Sequence, residues 1–178
     1  MSIDSFSSDE LNYIAGIIFK PLGLEIKELI SEKESQEYAA HSFTLENLNV
    51  IIRKTKITPA KTGQFVTIWK RNEQGITRPY HAKDKVDLIL IATILDNNFG
   101  IFIFPRATLL KQKILSVDKI EGKRGIRVYP SWNRTINNQA KKTQLWQSEY
   151  FIDLTPDKDL DLKTIQKLLT LGKLPDKI

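Results

Sequence analysis

Two nearly continuous apolar segments, separated by a short polar turn, constrain the fold of this chain most. Residues 86–95 read VDLILIATIL, and residues 99–104 read FGIFIF. Because polar residues do not alternate with apolar ones, the first segment is typical of a central strand covered on both faces. The intervening Asp96, Asn97 and Asn98 favour a turn. We therefore predict two buried strands in succession, with Asp87 at the start of the first.

Helical spacing of apolar residues predicts an amphipathic helix near each terminus and another late in the chain. The first follows the capping residues Ser7 and Ser8 and ends at Pro21. The second covers residues 138–147, and the last covers 161–171. One or two helical turns are expected at residues 108–112. In the second helix, the side chains predicted to face inward are Ala140, Leu145 and Trp146.

The other segments favour strands joined by turns. Strands are predicted at residues 38–45, 50–56, 64–71 and 149–154, with a short one after Gly125. The turn-forming sequence at residues 72–75 suggests an antiparallel meander. At 178 residues, one domain spanning 1–178 is the default. The predicted fold class is α+β, with a mixed, largely antiparallel central sheet flanked by helices.

Composition excludes several classes of site. The chain has no Cys, which rules out disulfides, thiolate metal sites and a cysteine nucleophile. Its two histidines, His41 and His81, are far apart in sequence and support no histidine metal site. No apolar run has the length of a membrane span, and no signal segment is apparent, so a cytoplasmic protein without a membrane partner is expected.

Positive charge is concentrated in the middle of the chain. Residues 47–148 contain nineteen basic and six acidic residues, and residues 47–72 and 122–148 contain no acid at all. Such a distribution favours a polyanionic partner, DNA or RNA. The alternative is ordinary solubility charge. The residues assigned to a nucleic-acid interface are Arg53, Lys54, Lys56, Lys61, Lys70, Arg71, Arg106, Lys123, Arg124, Arg127, Trp132, Lys141 and Lys142.

A glycine-flanked basic turn at residues 121–130 is the sharpest of these features. Gly122 and Gly125 allow a close approach of the backbone, and the arginines offer planar forks suited to phosphate. The segment is not a P-loop, since the GxxxxGK[ST] order is absent. We expect Arg124→Glu with Arg127→Glu to weaken binding more than tenfold with little effect on stability. Internal pairing of Arg127 with Asp87 or Glu121 is the alternative.

Aromatic residues beside these bases suggest a stacking surface. Trp69, Trp132 and Trp146 each lie near a basic residue in the sequence. Tryptophans in this setting stack nucleobases in single-strand binders, although tryptophan is more often a core residue. If four to six cations engage duplex phosphates, the logarithm of the binding constant should fall with a slope of about −4 to −5 against the logarithm of salt concentration.

Five segments resemble the MepB protein family. They are ESQEY at residues 34–38, ITPAKTGQFVTIWKR at 57–71, IFPR at 103–106, GKRGIRVYP at 122–130 and QAKKTQLWQ at 139–147. The resemblance extends in order from about residue 30 to residue 152. It implies a bacterial protein, often associated with multidrug-efflux operons, and a divergent restriction-endonuclease-like core that binds nucleic acid.

The chain departs from the catalytic pattern of that superfamily, in which an acid is followed by Glu-x-Lys on the next strand. Glu34 and Asp87 are the remnant candidates, because hydrolysis of a phosphodiester needs carboxylates converging on Mg²⁺. Neither residues 101–106 nor residues 64–70 supply another carboxylate. We therefore expect a nucleic-acid-binding protein without cofactor and without an intact nuclease site. A Mg²⁺-dependent nuclease using Glu34 and Asp87, and a protein-interaction module, are the alternatives.

Overall fold

The computed structural model describes residues 8–33 and 36–173, and a six-stranded sheet forms its centre. In spatial order, the strands of this central sheet are β1 (Ile26–Ser31), β2 (His41–Leu45), β3 (Leu48–Lys54), β8 (Leu88–Leu95), β9 (Asn98–Pro105) and β11 (Phe151–Asp153). All neighbours are antiparallel except β3 and β8, which run parallel. The predicted α+β class and mixed, largely antiparallel sheet are confirmed.

The two apolar segments form the middle of this sheet. β8 and β9 pair as a hairpin from Leu88↔Pro105 to Leu95↔Asn98, with Asp96 at a φ of 53° in the turn. Alternate residues of β8 enter two different cores: Leu88, Leu90 and Ala92 lie on one face, and Ile89 and Ile91 on the other. Strand β8 is thus covered on both faces, as its composition predicted.

Helices cover one face of the central sheet. Helix α1 (Ser8–Ile14) continues into a π-helical turn, Ala15–Phe19, and helix α4 (Leu162–Leu171) begins after the capping residue Asp161. The two helices share one core cluster with residues of β2, β3, β8 and β9, to which they contribute Leu11, Ile14, Ile18, Phe19, Ile165, Leu168 and Leu169. Both helices agree with the sequence prediction, apart from Ser7, which lies outside the described residues.

Smaller elements cover the other face. They are a three-stranded sheet of β4 (Lys56–Ile57), β5 (Gln64–Thr67) and β10 (Gly125–Val128), a hairpin of β6 (Trp69–Arg71) and β7 (Thr77–Pro79), and helices α2 (Arg106–Lys111) and α3 (Asn138–Gln147). Val66, Ile126 and Val128 reach the core beneath them. The segment between β3 and β8 supplies much of this layer, which is how two parallel strands become neighbours.

Several details differ from the sequence prediction. Of the strands predicted at residues 38–45 and 50–56, the first begins only at His41 and the second is divided between β3 and β4, which belong to different sheets. The strand predicted at residues 64–71 is two strands in different sheets: β5 pairs with β10, a ladder that the Ile68 N–H extends to the Arg124 carbonyl, and β6 pairs with β7 from Trp69 onward. Strand β1 was not predicted, since five of its six residues are exposed and show no alternation. The segment 149–154 is a strand only from Phe151, after a 3₁₀ turn at Ser148–Tyr150.

No helix among the described residues is long and apolar enough to cross a membrane.

Candidate nucleic-acid interface

The structure removes Arg53 from the predicted interface. Its side chain is 0% exposed, and it forms an ion pair of 2.8 Å with Glu32. It also donates to the Ile52 carbonyl and to the Tyr80 hydroxyl. A fully buried guanidinium cannot reach a phosphate, so Arg53 serves the fold. Burial raises the pKa of the Tyr80 hydroxyl, and the Arg53 charge opposes that rise.

The side chains of two more residues that were predicted to bind phosphate are bonded to other parts of the protein. The Arg106 guanidinium donates to the backbone carbonyls of Ala82, Asp84 and Val86, which pins the loop before β8. The Lys70 ammonium lies 2.5 Å from the Asp84 carboxylate, beside the ring of Tyr80. Both side chains therefore stabilise the fold, and we do not assign them to the nucleic-acid interface.

Of the remaining predicted cations between residues 54 and 71, some have partners within the protein and others do not. Lys56 pairs with Glu37 and lies over the Tyr38 ring, 4.8 Å from its centroid. Arg71 donates to the Gly75 carbonyl and stacks over Trp69. Lys54 is half-buried and Lys61 is exposed, and among the described residues neither ammonium has an ion-pair partner.

The glycines of the basic turn allow a close approach, but the approaching group is the protein's own backbone. A Cβ at Gly122 would lie 2.6 Å from the Ser116 nitrogen and would touch the Ile114 carbonyl oxygen. The Gly122 N–H donates to the Ser116 hydroxyl, and the Lys123 N–H donates to Ile114. Neither amide is available to a phosphate, which corrects the role expected for this turn.

The two arginines of the turn differ in their surroundings. Arg124 is exposed and pairs with Glu121 at 2.5 Å. Arg127 points away from the core between Ile126 and Val128, as its alternation predicted, and donates to Thr58 Oγ1 at 2.9 Å. It also contacts the carbonyls of Thr62 and Gly63, so it braces the β4–β5 loop. The alternative of internal pairing therefore holds for Arg127, with Thr58 and two loop carbonyls as partners in place of Asp87 or Glu121.

A polar groove of about 400 Å³ separates β10 from α3. Lys123 and Arg127 supply its cations, and none of the described residues that line it is a carboxylate. The other lining residues are Gln112, Ile114, Gly125, Ile126, Tyr129, Asn137, Gln139, Ala140, Thr143, Trp146 and Gln147. The acid-free segment 122–148 therefore folds into one concave, positively charged feature, which is called the β10–α3 groove below.

Sequence reasoning missed the neutral polar part of this groove. Gln112, Asn137, Gln139 and Thr143 line it but carry no charge, so a search for basic residues passes over them. The signal that was present is the abundance of Asn and Gln between residues 133 and 147. Gln147 is held internally, accepting from the Tyr129 N–H and donating to the Arg127 carbonyl, which joins α3 to β10.

Helix α3 places its two lysines differently. Gln139, Ala140, Thr143, Trp146 and Gln147 form the face that lines the groove. Lys142 lies three residues after Gln139 and four before Trp146, and therefore borders that face, whereas Lys141 falls on the opposite side. Both ammonium groups are exposed and have no partner among the described residues.

The tryptophans also separate. Trp146 packs against Phe104, with 5.4 Å between ring centroids, and still lines the groove. Trp132 lies outside it, edge-on to Phe151 at 5.4 Å, with its indole nitrogen buried. Trp132 is therefore a packing residue in this structure. Trp69 carries Arg71 over its ring and does not line the groove.

The comparisons with known proteins agree with this architecture and with the segments quoted from the sequence. The MepB-like family model matches residues 32–153. The chain belongs to the MepB-like family. It is also similar to a solved structure described as the crystal structure of MepB, with 33% identity and a TM-score of 0.72 over 87% of this chain and 100% of that chain.

A further structural match to this MepB-like chain is weaker. The bacterial homing endonuclease I-Ssp6803I matches 82% of this chain and 91% of its own, with 13% identity and a TM-score of 0.43. Similarity at that level supports no conclusion about this protein. No curated protein sequence matches the chain.

The carboxylates suspected in this MepB-like protein are not brought together in the part that the structure describes. The Asp87 carboxylate accepts the Asn49 backbone N–H at 2.7 Å and its side-chain amide at 3.2 Å, so it caps the start of β8. Glu34 lies outside the described residues. Glu32 and Glu37, its neighbours in sequence, pair with Arg53 and Lys56. Within the described ranges, no group of three metal-ligating side chains occurs.

Proposed function

We propose that this protein binds nucleic acid through the β10–α3 groove, acting in the cytoplasm and without an intact nuclease site. The observation that carries the proposal is the absence of carboxylates from a groove lined by Lys123 and Arg127 and bordered by Lys142. A cation without a neighbouring acid keeps its full attraction for a phosphate, and phosphate contacts supply most of the affinity in such complexes.

The charge of the surrounding elements supports the same proposal. Arg53, Arg106 and Lys70 are engaged within the fold, and the predicted cations that remain exposed at the groove or on its border include Lys123 and Lys142, whereas Arg124 pairs with Glu121 and Lys141 lies on the opposite side of α3. The interface we propose is thus smaller than the set predicted from the sequence. It is centred on β10 and α3 rather than on residues 53–71.

We further propose that the central sheet is a divergent restriction-endonuclease-like core. Its support is the α+β architecture with one parallel pair inside a mostly antiparallel sheet. The nuclease that this fold suggests is the less supported function, because Asp87 caps β8 and points its carboxylate at Asn49.

Binding curves for labelled DNA and RNA, single- and double-stranded, at several salt concentrations test the proposal. For Lys123→Glu with Lys142→Glu, we expect a loss of affinity of more than tenfold, since two attractions become repulsions. The control is Lys163→Glu with Lys167→Glu, which makes the same charge change on exposed positions of α4, across the sheet. The control should bind nearly as tightly as the wild type.

Salt dependence separates this function from a protein-interaction module. Each cation that contacts a duplex phosphate should contribute about −0.9 to the slope of log K against log salt, so the slope should be clearly negative. Absence of binding at low salt, a flat salt response, or equal losses in the groove variant and the α4 variant would each overturn the proposal.

A further inference from the structure

The β10–α3 groove presents more neutral polar groups than charges. The side chains of Gln112, Tyr129, Gln139 and Thr143 line it and have no hydrogen-bond partner among the described residues. Each amide has both a donor and an acceptor, and each hydroxyl can act as either. A phosphate oxygen only accepts hydrogen bonds. A lining that both donates and accepts therefore matches a group that does the same, such as the edge of a nucleobase.

The shape of the groove restricts which nucleic acid can present a base to it. In a duplex, base edges lie at the bottom of grooves and are read by elements that protrude into them. This site is instead a concave feature of about 400 Å³, within the usual size range of small-molecule pockets. A paired base cannot leave the helix to enter it without loss of stacking and pairing energy. An unpaired base meets no such cost.

An aromatic surface is available inside the groove. The Trp146 ring packs on Phe104 and reaches the groove lining from the helix, while Tyr129 lines it from the strand side. A ring held by the core, as Trp146 is, is preorganised for stacking, and base–aromatic stacking is a main source of affinity in single-strand binders. Lys123 lines the same groove and Lys142 borders it, where both can contact the backbone phosphates; Arg127 adds its charge, although its guanidinium hydrogen bonds go to Thr58, Thr62 and Gly63.

We infer that the β10–α3 groove binds single-stranded nucleic acid, with an unpaired base held by the amide and hydroxyl side chains and flanking phosphates on Lys123 and Lys142. This inference rests on the proposed function and adds the substrate class. DNA and RNA share the recognised chemistry, so both sugars belong in the test.

The test compares oligonucleotides of about 12 nucleotides, a length within the site sizes of single-strand binders. The same sequence is offered as single strand and as duplex, in DNA and in RNA, by fluorescence anisotropy. The wild type should bind the single strand at least tenfold more tightly than the duplex. The decisive variant is Gln139→Ala with Thr143→Ala, which removes neutral groups from the groove without changing charge.

This double variant should lose about tenfold in single-strand affinity and nothing in duplex affinity. Both changes favour helix formation, so α3 should persist. Gln74→Ala, an exposed amide in the β6–β7 turn, is the control and should bind normally. Duplex binding as tight as single-strand binding, or an unchanged single-strand affinity in the double variant, overturns the inference alone. If Lys123→Glu with Lys142→Glu weakens the binding of neither the single strand nor the duplex, the proposed function is overturned instead.

Discussion

Arg53 and Glu32 form an ion pair whose two members differ in exposure, 0% for the arginine and 23% for the glutamate. The Arg53 Nε has no partner in the described part of the chain. Removing the glutamate charge leaves a buried guanidinium without its counterion, which is much more costly than never having buried the pair. The ion pair with Glu32 thus allows Arg53, a basic residue in an acid-free stretch, to be buried in the core.

We predict that Glu32→Gln lowers the free energy of unfolding by about 3 kcal/mol, measured by urea denaturation. The matched control is Glu37→Gln, which removes the acid of the exposed pair with Lys56. That change should cost no more than about 0.5 kcal/mol, because exposed ion pairs contribute little. Equal losses in the two variants would contradict the role given to burial.

The Asp84 carboxylate provides a pH-dependent contribution to stability. Desolvation raises its pKa, but hydrogen bonds from the His81 N–H and from Lys70, with the charges of Lys70 and Arg78, outweigh that effect. The net pKa lies below the ordinary value of 3.8. A depressed carboxylate pKa stabilises the folded state above the unfolded pKa, and the contribution is lost as pH falls through the folded one.

We therefore expect wild-type stability to decline as pH falls below about 4, and Asp84→Asn to flatten that decline. The measurement is the free energy of unfolding from urea titrations at a series of pH values. Asp159→Asn, at an exposed aspartate with no hydrogen bond in the described structure, is the control and should keep the wild-type slope. A parallel pH profile for Asp84→Asn would show that its ion pair adds nothing.

At the scale of elements, the turn before β10 is built around one glycine. Any side chain at Gly122 would meet the backbone at Ile114, Leu115 and Ser116, which have no freedom to move aside. Gly16, in the π-helical turn after α1, is exposed and has nothing within 4 Å of the position of a Cβ.

We predict that Gly122→Ala lowers the free energy of unfolding by about 1–3 kcal/mol through overpacking. Gly16→Ala should leave stability unchanged or raise it slightly, since alanine is the better helix former. Thermal and urea unfolding of the two variants would check this. A stable Gly122→Ala protein would mean that the turn shifts away from Ile114.

Helix α3 shows how far periodicity predicts an element. Its bounds, Asn138–Gln147, agree with the sequence prediction, and Ala140 is buried as expected. Leu145 is 74% exposed, so its predicted inward position is wrong. The inward face is instead marked by Gln147, which is 1% exposed. Its side-chain amide accepts a hydrogen bond from the Tyr129 N–H and donates one to the Arg127 carbonyl. Apolar character identified a helix here but not its orientation.

At the scale of the whole molecule, three carboxylates of the described residues each have a partner within the fold. Asp87 is held by Asn49 at the start of β8, while Asp84 and Glu32 are paired with cations. Metal-dependent hydrolysis requires carboxylates that converge on the ions. Among the described residues, no such convergent group is present.

We predict that supercoiled plasmid incubated with the protein and Mg²⁺ or Mn²⁺ remains intact. Cleavage that is retained in Glu34→Ala and Asp87→Asn would point to contamination or to another site. Cleavage that disappears in both variants would identify the nuclease alternative as correct. Asp87→Asn keeps an oxygen acceptor for Asn49, so loss of activity in it would not follow from loss of the β8 cap.

The sequence by itself determined the central hairpin of β8 and β9, the helices near both ends and the α+β class, because these depend on local periodicity and turn chemistry. It also located the acid-free segment that forms the β10–α3 groove. Tertiary structure alone decided which cations stay exposed. In the sequence, nothing distinguishes Arg53 and Arg106 from Lys123, but in the structure Arg53 pairs with Glu32 and Arg106 donates to loop carbonyls. Charge is a property of a residue, whereas its availability depends on partners brought close by distant parts of the chain.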